Sequence, residues 1–475
     1  MNIGLILKNA SYLLSSNLLV RVITALASIW VARYLGVEDY GMLAVGLAFS
    51  GVAGYFTDMG ITHTLIREGT KPNADIPALM GAFAKWRMGF AVLTAVASAL
   101  LIEVLYSGSD LRPVLYWMVM PTVLGANLVG IGAAYFQLTQ QMKFTALIRT
   151  VAGLATAATL CLGIVFQWPL LLLAAVYGCS SLLGGVLSLW LVLKKVRLTK
   201  GGDAKALLQG LGSFMLGGLV VMLLPQLGPL VLERVADLTQ VGYFAAAYRI
   251  PVVLYQFPGI LAAAFYPLLF QYGNEKRLDE HLRLNVLQLK MMSLMGMLMA
   301  VPFLFYADWW VELLYGVEFA QASGLLAMLA VIVILQSINF PLADSLTTKG
   351  QQFRRTMVLI AAVVVGTALY AVLGSRYGAT GGAYAALATE GVLLIGNLAM
   401  NRTGVQLLWR GLAVNLPAFA IVALLGFTVL RDAHPLIGAP LLGLLLIGLA
   451  AGLDRELRTK ALGIVRARQK KTLNA

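Results

Sequence analysis

The sequence predicts an all-α integral membrane protein of about fourteen transmembrane helices, arranged as two pseudo-symmetric six-helix lobes plus two C-terminal helices. Three observations carry this: an apolar composition, apolar runs of span length along the whole chain, and a one-sided distribution of Lys and Arg. Apolar residues make up 60% of the 475 and charged residues 12%, against about 45–50% and about 25% in soluble domains. So few charges could not cover the surface of a soluble chain this long. The mean hydropathy of +0.84 agrees.

A helix needs about 20 apolar residues to cross the bilayer core. Runs of that kind fall at 12–33, 40–62, 80–106, 112–137, 146–167, 169–193, 207–232, 241–271, 284–306, 321–346, 355–374, 380–401, 408–430 and 435–453. The first follows a weakly charged start and has no small-residue cleavage site, so it reads as a retained span and not a signal peptide. The fifth and sixth are split only by Gln167-Trp168-Pro169, a tight turn with an interfacial Trp. The seventh and eighth carry Pro225, Pro229, Pro251 and Pro258. Each proline removes a backbone donor and bends its helix, so these four are expected hinges, and a bent seventh span would act as a gate. The 241–271 run is too long for one upright span and must tilt, kink or extend beyond the bilayer. The longest outer connection, 307–319, is short, Trp-rich and acidic, which leaves no room for a soluble domain there. Basic residues from Arg455 to Lys471 alternate with Leu457, Leu462, Ile464 and Val465, a pattern for a short helix lying on anionic lipid.

The net charge of +14 could suggest nucleic acid, but its placement points to membrane orientation. With the N-terminus cytoplasmic, 28 of the 35 Lys and Arg fall on cytoplasmic connections and tails, five fall outside, and two, Arg21 and Arg249, lie within spans. Positive charge accumulates on the cytoplasmic side of membrane proteins, so both termini are expected there, with an even number of spans.

An internal repeat organises the chain. Ala32-Arg33-Tyr34-Leu35-Gly36-Val37-Glu38-Asp39-Tyr40-Gly41 leads into the second span, and Glu233-Arg234-Val235-Ala236-Asp237-Leu238-Thr239-Gln240-Val241-Gly242 leads into the eighth. Position 242 lies 201 residues after 41. The expected organisation is a lobe at 1–195, a basic linker at 196–205, a second lobe at 206–402, two added helices at 403–453 and a basic tail at 454–475. Paired lobes around a central site are a recurrent transporter plan.

Enzyme and metal signals are weak. The three histidines lie far apart, no His/Cys/acid set has ligand spacing, and no phosphate-binding loop motif for ATP appears. Cys161 and Cys179 lie in apolar runs and give no disulfide framework. No cofactor is expected. Charge inside the spans is the informative feature. At a helix centre an arginine costs about 2.5–3.5 kcal/mol on insertion scales, so Arg21 and Arg249 must face protein or a wet cavity. Either they pair with acids such as Asp58 or Glu390, or they line a cavity for an anionic head group, which the guanidinium fork binds bidentately. Lys85 and Arg87 open the third span, where they would snorkel to head groups or meet an incoming phosphate. Asp58 and Asp344 fall near expected cytoplasmic ends, where solvation would suffice. Glu390 lies at mid-span and reads as a coupling residue or, in preference, an ion-pair partner.

The sequence resembles the polysaccharide-exporter (Wzx-type) flippases of the MOP superfamily. The resemblance rests on Trp30 to Gly41, continued by Tyr55-Phe56-Thr57-Asp58-Met59-Gly60-Ile61, on Gln240 to Arg249, and on Tyr377-Gly378-Ala379-Thr380-Gly381-Gly382-Ala383-Tyr384-Ala385. These blocks are spread over most of the chain, and their order and spacing are more specific than any one of them. The resemblance implies a two-lobed, MATE-like, alternating-access transporter in the bacterial cytoplasmic membrane. Its cargo would be an undecaprenyl-pyrophosphate-linked glycan, and its partners membrane lipids and polysaccharide assembly proteins. Lipid II flippases are related and also carry two extra helices. Arg21 and Arg249 match their cavity arginines by local pattern, whereas the region around Asp58 lacks their basic character. A cation or drug antiporter of the same superfamily would want acids where this chain has arginines. A membrane enzyme such as a polymerase or ligase would want large outer loops.

Overall fold

Every apolar run is largely helical where the structure describes it, as a backbone in hydrocarbon must be, because no water is there to satisfy its polar groups. The computed structural model describes residues 20, 22–72, 74–197, 199 and 205–454. The expected amphipathic segment from Arg455 to Lys471 lies outside them.

The described chain runs through α1 (Val22–Leu35), α2 (Val37–Phe56), α3 (Ile61–Gly69), α4 (Ile76–Tyr106), α5 (Leu111–Leu138), α6 (Met142–Val165), α7 (Leu170–Leu193), α8 (Leu211–Leu223), α9 (Leu227–Val235), α10 (Leu238–Leu254), α11 (Gln256–Asn274), α12 (Leu278–Phe305), α13 (Ala307–Tyr315), α14 (Ala322–Thr348), α15 (Gln352–Met400), α16 (Gly404–Leu412), α17 (Asn415–Thr428) and α18 (Pro435–Leu453). Local chemistry sets the ends. Asp75 caps α4 by accepting from the Ala78 N–H at 3.0 Å, with Pro77 in the first turn, where its missing donor costs nothing.

Eleven of the described helices are long and apolar enough to cross a membrane, or twelve if the bent pair α16–α17 forms one span. The difference from fourteen lies at two places. The first apolar run lies partly outside the described residues, and only its part Val22–Leu35 enters the count. The expected eleventh and twelfth spans are two helices on either side of a reversal at Gly378 (φ +57°), taken together as α15. The arms 352–377 and 379–400 fold back on each other, with Gly381 against the Leu373 carbonyl and Gly396 against Val358. A left-handed φ suits glycine because it has no Cβ.

The helices form two compact units. The first contains residues up to Arg249 together with Leu314–Phe319 and Val363–Ala385. Its most extensive packing is α5 on α7. Small residues allow that approach, as is usual where helices meet in lipid. Gly178 faces the Trp117 and Met118 carbonyls, and the Ser188 hydroxyl donates to the Leu128 carbonyl at 2.8 Å. The repeat motifs meet in this unit as well. A Cβ on Gly41 would strike the Leu238 carbonyl, and one on Gly242 would strike the Val37 carbonyl. Position 238 lies 201 residues after 37, just as 242 lies 201 after 41, so the contact between α2 and α10 is reciprocal, as at a twofold axis. Phe319 packs on both Tyr40 and Tyr243, with ring centroids 6.2 and 6.3 Å away.

The second unit comprises Ile250–Leu313, Ala320–Ala362 and the chain from Ala386 onward. It is built on α12 against α14, with α16, α17 and α18 added against α12. Leu289, Met297, Ala300, Leu342, Leu407 and Leu446 form its core.

Candidate functional site

In the first unit, α10 presents Arg249 from a stretch of small buried residues, Ala245, Ala246 and Ala247. The Arg249 Nε is buried and has no hydrogen-bond partner among the described residues. No carboxylate pairs with Arg249 among the described residues. Its guanidinium lies within electrostatic reach of the Tyr177 and Tyr315 hydroxyls. Tyr315 itself donates to the Ala246 carbonyl at 2.8 Å, one turn away on the same helix. Arg21, expected beside it, lies outside the described residues.

Arg87 has a different setting. It is 3% exposed and forms an ion pair with Asp58. Its remaining donors reach Asn127 Oδ1 at 3.3 Å, Thr57 Oγ1 at 3.3 Å and the Ala126 carbonyl at 3.2 Å. The Thr62 hydroxyl also donates to Asp58. The span containing α2 and α3 breaks at Thr57–Gly60, where Met59 and Gly60 have φ of 46° and 85°. That break turns Asp58 toward α4. Gly130 on α5 leaves the space the guanidinium fills, since a Cβ there would collide with it. The arginine that pairs with Asp58 is therefore Arg87 of the third span, and Arg87 has few donors left for a ligand. Lys85, two residues away, is exposed.

The second unit buries Glu390 and Asp344 within its helices. Glu390 on α15 accepts from the Gln336 and Asn339 side-chain amides of α14, with no cation in salt-bridge contact among the described residues. It is held by amides and does not form the ion pair that sequence reasoning preferred. Asp344, expected to be solvated, is 1% exposed. It accepts from Tyr266 at 2.8 Å and Gln288 at 2.8 Å. Sequence reasoning missed Gln288, Gln336, Asn339 and Asn127 because it counted charges alone. Amide side chains inside apolar runs were the available signal, since such groups are held by hydrogen bonds within membrane proteins. The repeat offset brings 87 onto 288, so corresponding positions hold a carboxylate by a guanidinium in one unit and by an amide in the other.

The prolines fall at interruptions. Pro225 lies in the short 3-10 turn Leu224–Gln226 between α8 and α9, and Pro229 is buried in the first turn of α9. Pro251 lies inside α10, and Pro258 is buried in the first turn of α11, after the break at Tyr255. The long 241–271 run is thus two helices.

Residues 6–273, more than half of the chain, match the family described as polysaccharide biosynthesis protein. The chain belongs to this family. No curated protein matches by sequence. Among solved structures, this family member is similar to the lipid II flippase MurJ in an inward closed conformation, with a TM-score of 0.71 and 16% identity over 93% of this chain and 98% of that one. It is also similar to an inward-facing multidrug resistance MATE family transporter of the MOP superfamily, with a TM-score of 0.69 and 13% identity over 82% of this chain and 95% of that one. A eukaryotic MATE transporter matches with a TM-score of 0.57 and 16% identity, over 85% and 98%. At these identities the likeness establishes the fold. The polysaccharide biosynthesis protein thus has the fold of MOP-superfamily transporters and is a multi-pass membrane protein. The structures it matches are of transporters and a flippase, not enzymes.

Proposed function

We propose that this protein is a flippase moving undecaprenyl-pyrophosphate-linked oligosaccharide units across the bacterial cytoplasmic membrane by alternating access, for assembly of a surface polysaccharide. The observation that carries the reading is Arg249, a cation within a span whose Nε is buried and unpartnered among the described residues. An unsatisfied buried donor costs about 1–3 kcal/mol, more when charged, and an intramembrane arginine without a carboxylate fits an anionic ligand. A pyrophosphate supplies oxygens that match the guanidinium fork. Membership in a polysaccharide biosynthesis family supports a glycan cargo, and the fold is consistent with alternating access.

The physical need is plain. A sugar head group entering hydrocarbon loses the water on every hydroxyl, so a polar path through protein removes the barrier while the prenyl tail stays in lipid. Arg21 and Arg249 are proposed to hold the pyrophosphate, with Lys85 meeting it at the cytoplasmic mouth. Arg87 is proposed to act at one remove, through Asp58. The repeat lobes 1–195 and 206–402 are proposed to rock about the reciprocal Gly41–Gly242 contact, with Pro225, Pro229, Pro251 and Pro258 as the bending points.

The test is rescue of surface glycan in cells that lack a repeat-unit flippase. The wild-type chain should restore export, Arg249→Ala should abolish it at normal membrane abundance, and Arg249→Lys should restore part of it. Full export from an Arg21→Ala, Arg249→Ala double variant would remove the basis of the reading.

A further inference from the structure

A groove remains in the first unit that the flippase reading does not use. It lies between α2, α4 and α9 and has a volume of about 560 Å³. Its walls are apolar, among them Phe49, Ala53, Leu93, Leu101 and Leu230. Leu93 and Leu101 are exposed, as expected where a helix faces lipid, so the groove opens toward hydrocarbon. Its polar end is Arg234, in the last turn of α9. Arg234 donates to the Leu105 carbonyl at 2.9 Å, lies 4.1 Å from the Tyr106 ring centroid and pairs with Glu233 at 3.1 Å. The two members of that pair are unequally placed. The Glu233 side chain is 8% exposed and also accepts from the Tyr106 hydroxyl at 3.0 Å, while the Arg234 side chain is 36% exposed. The groove mouth therefore presents the cation.

We infer that this groove holds one acyl chain of an anionic phospholipid, with the lipid phosphate at Arg234. Length selects this occupant. From Leu93 to Tyr106 the α4 wall rises about 20 Å at about 1.5 Å per residue. One leaflet contributes about half of a roughly 30 Å hydrocarbon core, so the groove accommodates a chain from a single leaflet. Arg234 stands three residues before the α9–α10 connection at Asp237, the level at which a head group of that leaflet would sit. A basic side chain there favours a phosphate that carries net negative charge.

The experiment uses the purified full-length protein in bilayer nanodiscs that contain phosphatidylglycerol with a photoreactive acyl chain, and adducts are located by peptide mass spectrometry. Adducts are expected to concentrate on the α2 and α4 residues lining the groove. Ala97→Phe, at an exposed lining position, should fill the groove and remove most of them without disturbing the fold. Arg234→Gln should lower groove labelling by phosphatidylglycerol about fivefold, the effect of one basic residue at an anionic surface, and leave labelling by the phosphatidylcholine analogue unchanged. Arg112→Gln, at a comparably exposed arginine paired with Glu103, should change neither. Even labelling of all lipid-facing helices, or labelling insensitive to Ala97→Phe, would overturn the inference. Equal loss in the two arginine variants would overturn the assignment of the phosphate to Arg234. Displacement of phosphatidylglycerol by equimolar polyprenyl phosphate would overturn the assignment to a phospholipid.

Discussion

Charged side chains within the spans divide into those that are paired and those that are not among the described residues, and the proposed function expects this division to separate structural from functional residues. Arg87 and Asp58 belong to the first group. Removing one partner of a buried pair leaves the other without compensation and costs about 3–5 kcal/mol. Asp58→Asn should therefore lower thermal stability in detergent markedly. Adding Arg87→Met to that variant should recover much of the loss, since an apolar residue of similar length needs no counter-charge. A double variant no more stable than Asp58→Asn alone would show that the Arg87 side chain packs for another reason. Glu390 tests the coupling reading. Glu390→Gln keeps the shape, and Asn339 can flip to accept from the new amide, because its Oδ1 has no partner among the described residues. Melting should shift by about 1 kcal/mol or less, while proton-dependent export should be lost. Export that keeps its dependence on the proton gradient in Glu390→Gln would assign Glu390 to packing alone. The sequence marked all these charges, because a charge in an apolar run stands out. It could not give the pairing, because Asp58 reaches Arg87 only through a turn at Met59–Gly60 that no hydropathy pattern contains.

The helices themselves were the most legible feature, since a backbone in lipid has few alternatives to a helix. Their breaks were legible only where proline announced them, as at Pro225. The break at Thr57–Gly60 lies inside a run that reads as continuous, and it depends on backbone conformation at one glycine and its neighbour. The repeat was legible as a pair of motifs, but the reason both carry glycine appears only in three dimensions, where each glycine leaves room for the carbonyl of the other repeat. Gly41→Val and Gly242→Val should therefore destabilise by similar amounts, about 1–3 kcal/mol or more for overpacking against backbone. Gly89→Ala on α4, where an added Cβ meets nothing, should be neutral or stabilising by up to about 1 kcal/mol from helix propensity. Melting temperatures of the three variants provide the comparison. Unequal effects at Gly41 and Gly242 would mean that the contact is less symmetric than its geometry.

At the scale of the whole molecule the proposed function turns on direction, because the proposed flippase would have no cargo if it loaded from the wrong leaflet. The distribution of Lys and Arg predicts it through the energetics of insertion, in which basic connections resist crossing the membrane. Twenty-eight basic residues on one set of connections against five on the other is a bias that one misplaced span would scramble. The orientation can be read directly by single-cysteine labelling in a background where Cys161 and Cys179 are replaced by serine. Ser109→Cys, between α4 and α5, and Asp432→Cys, between α17 and α18, occupy exposed connections on the sparsely charged side. Both should react with a membrane-impermeant maleimide in intact cells. Glu275→Cys, between α11 and α12, and Gln352→Cys, at the start of α15, are exposed on the basic side and should react only after the membrane is opened. The reverse pattern would place Lys85 at the outer face, where no cytoplasmic lipid-linked sugar could meet it. A mixed pattern would show that α15 or the bent pair α16–α17 does not cross as counted, so the four sites together test both the orientation and the number of crossings between them.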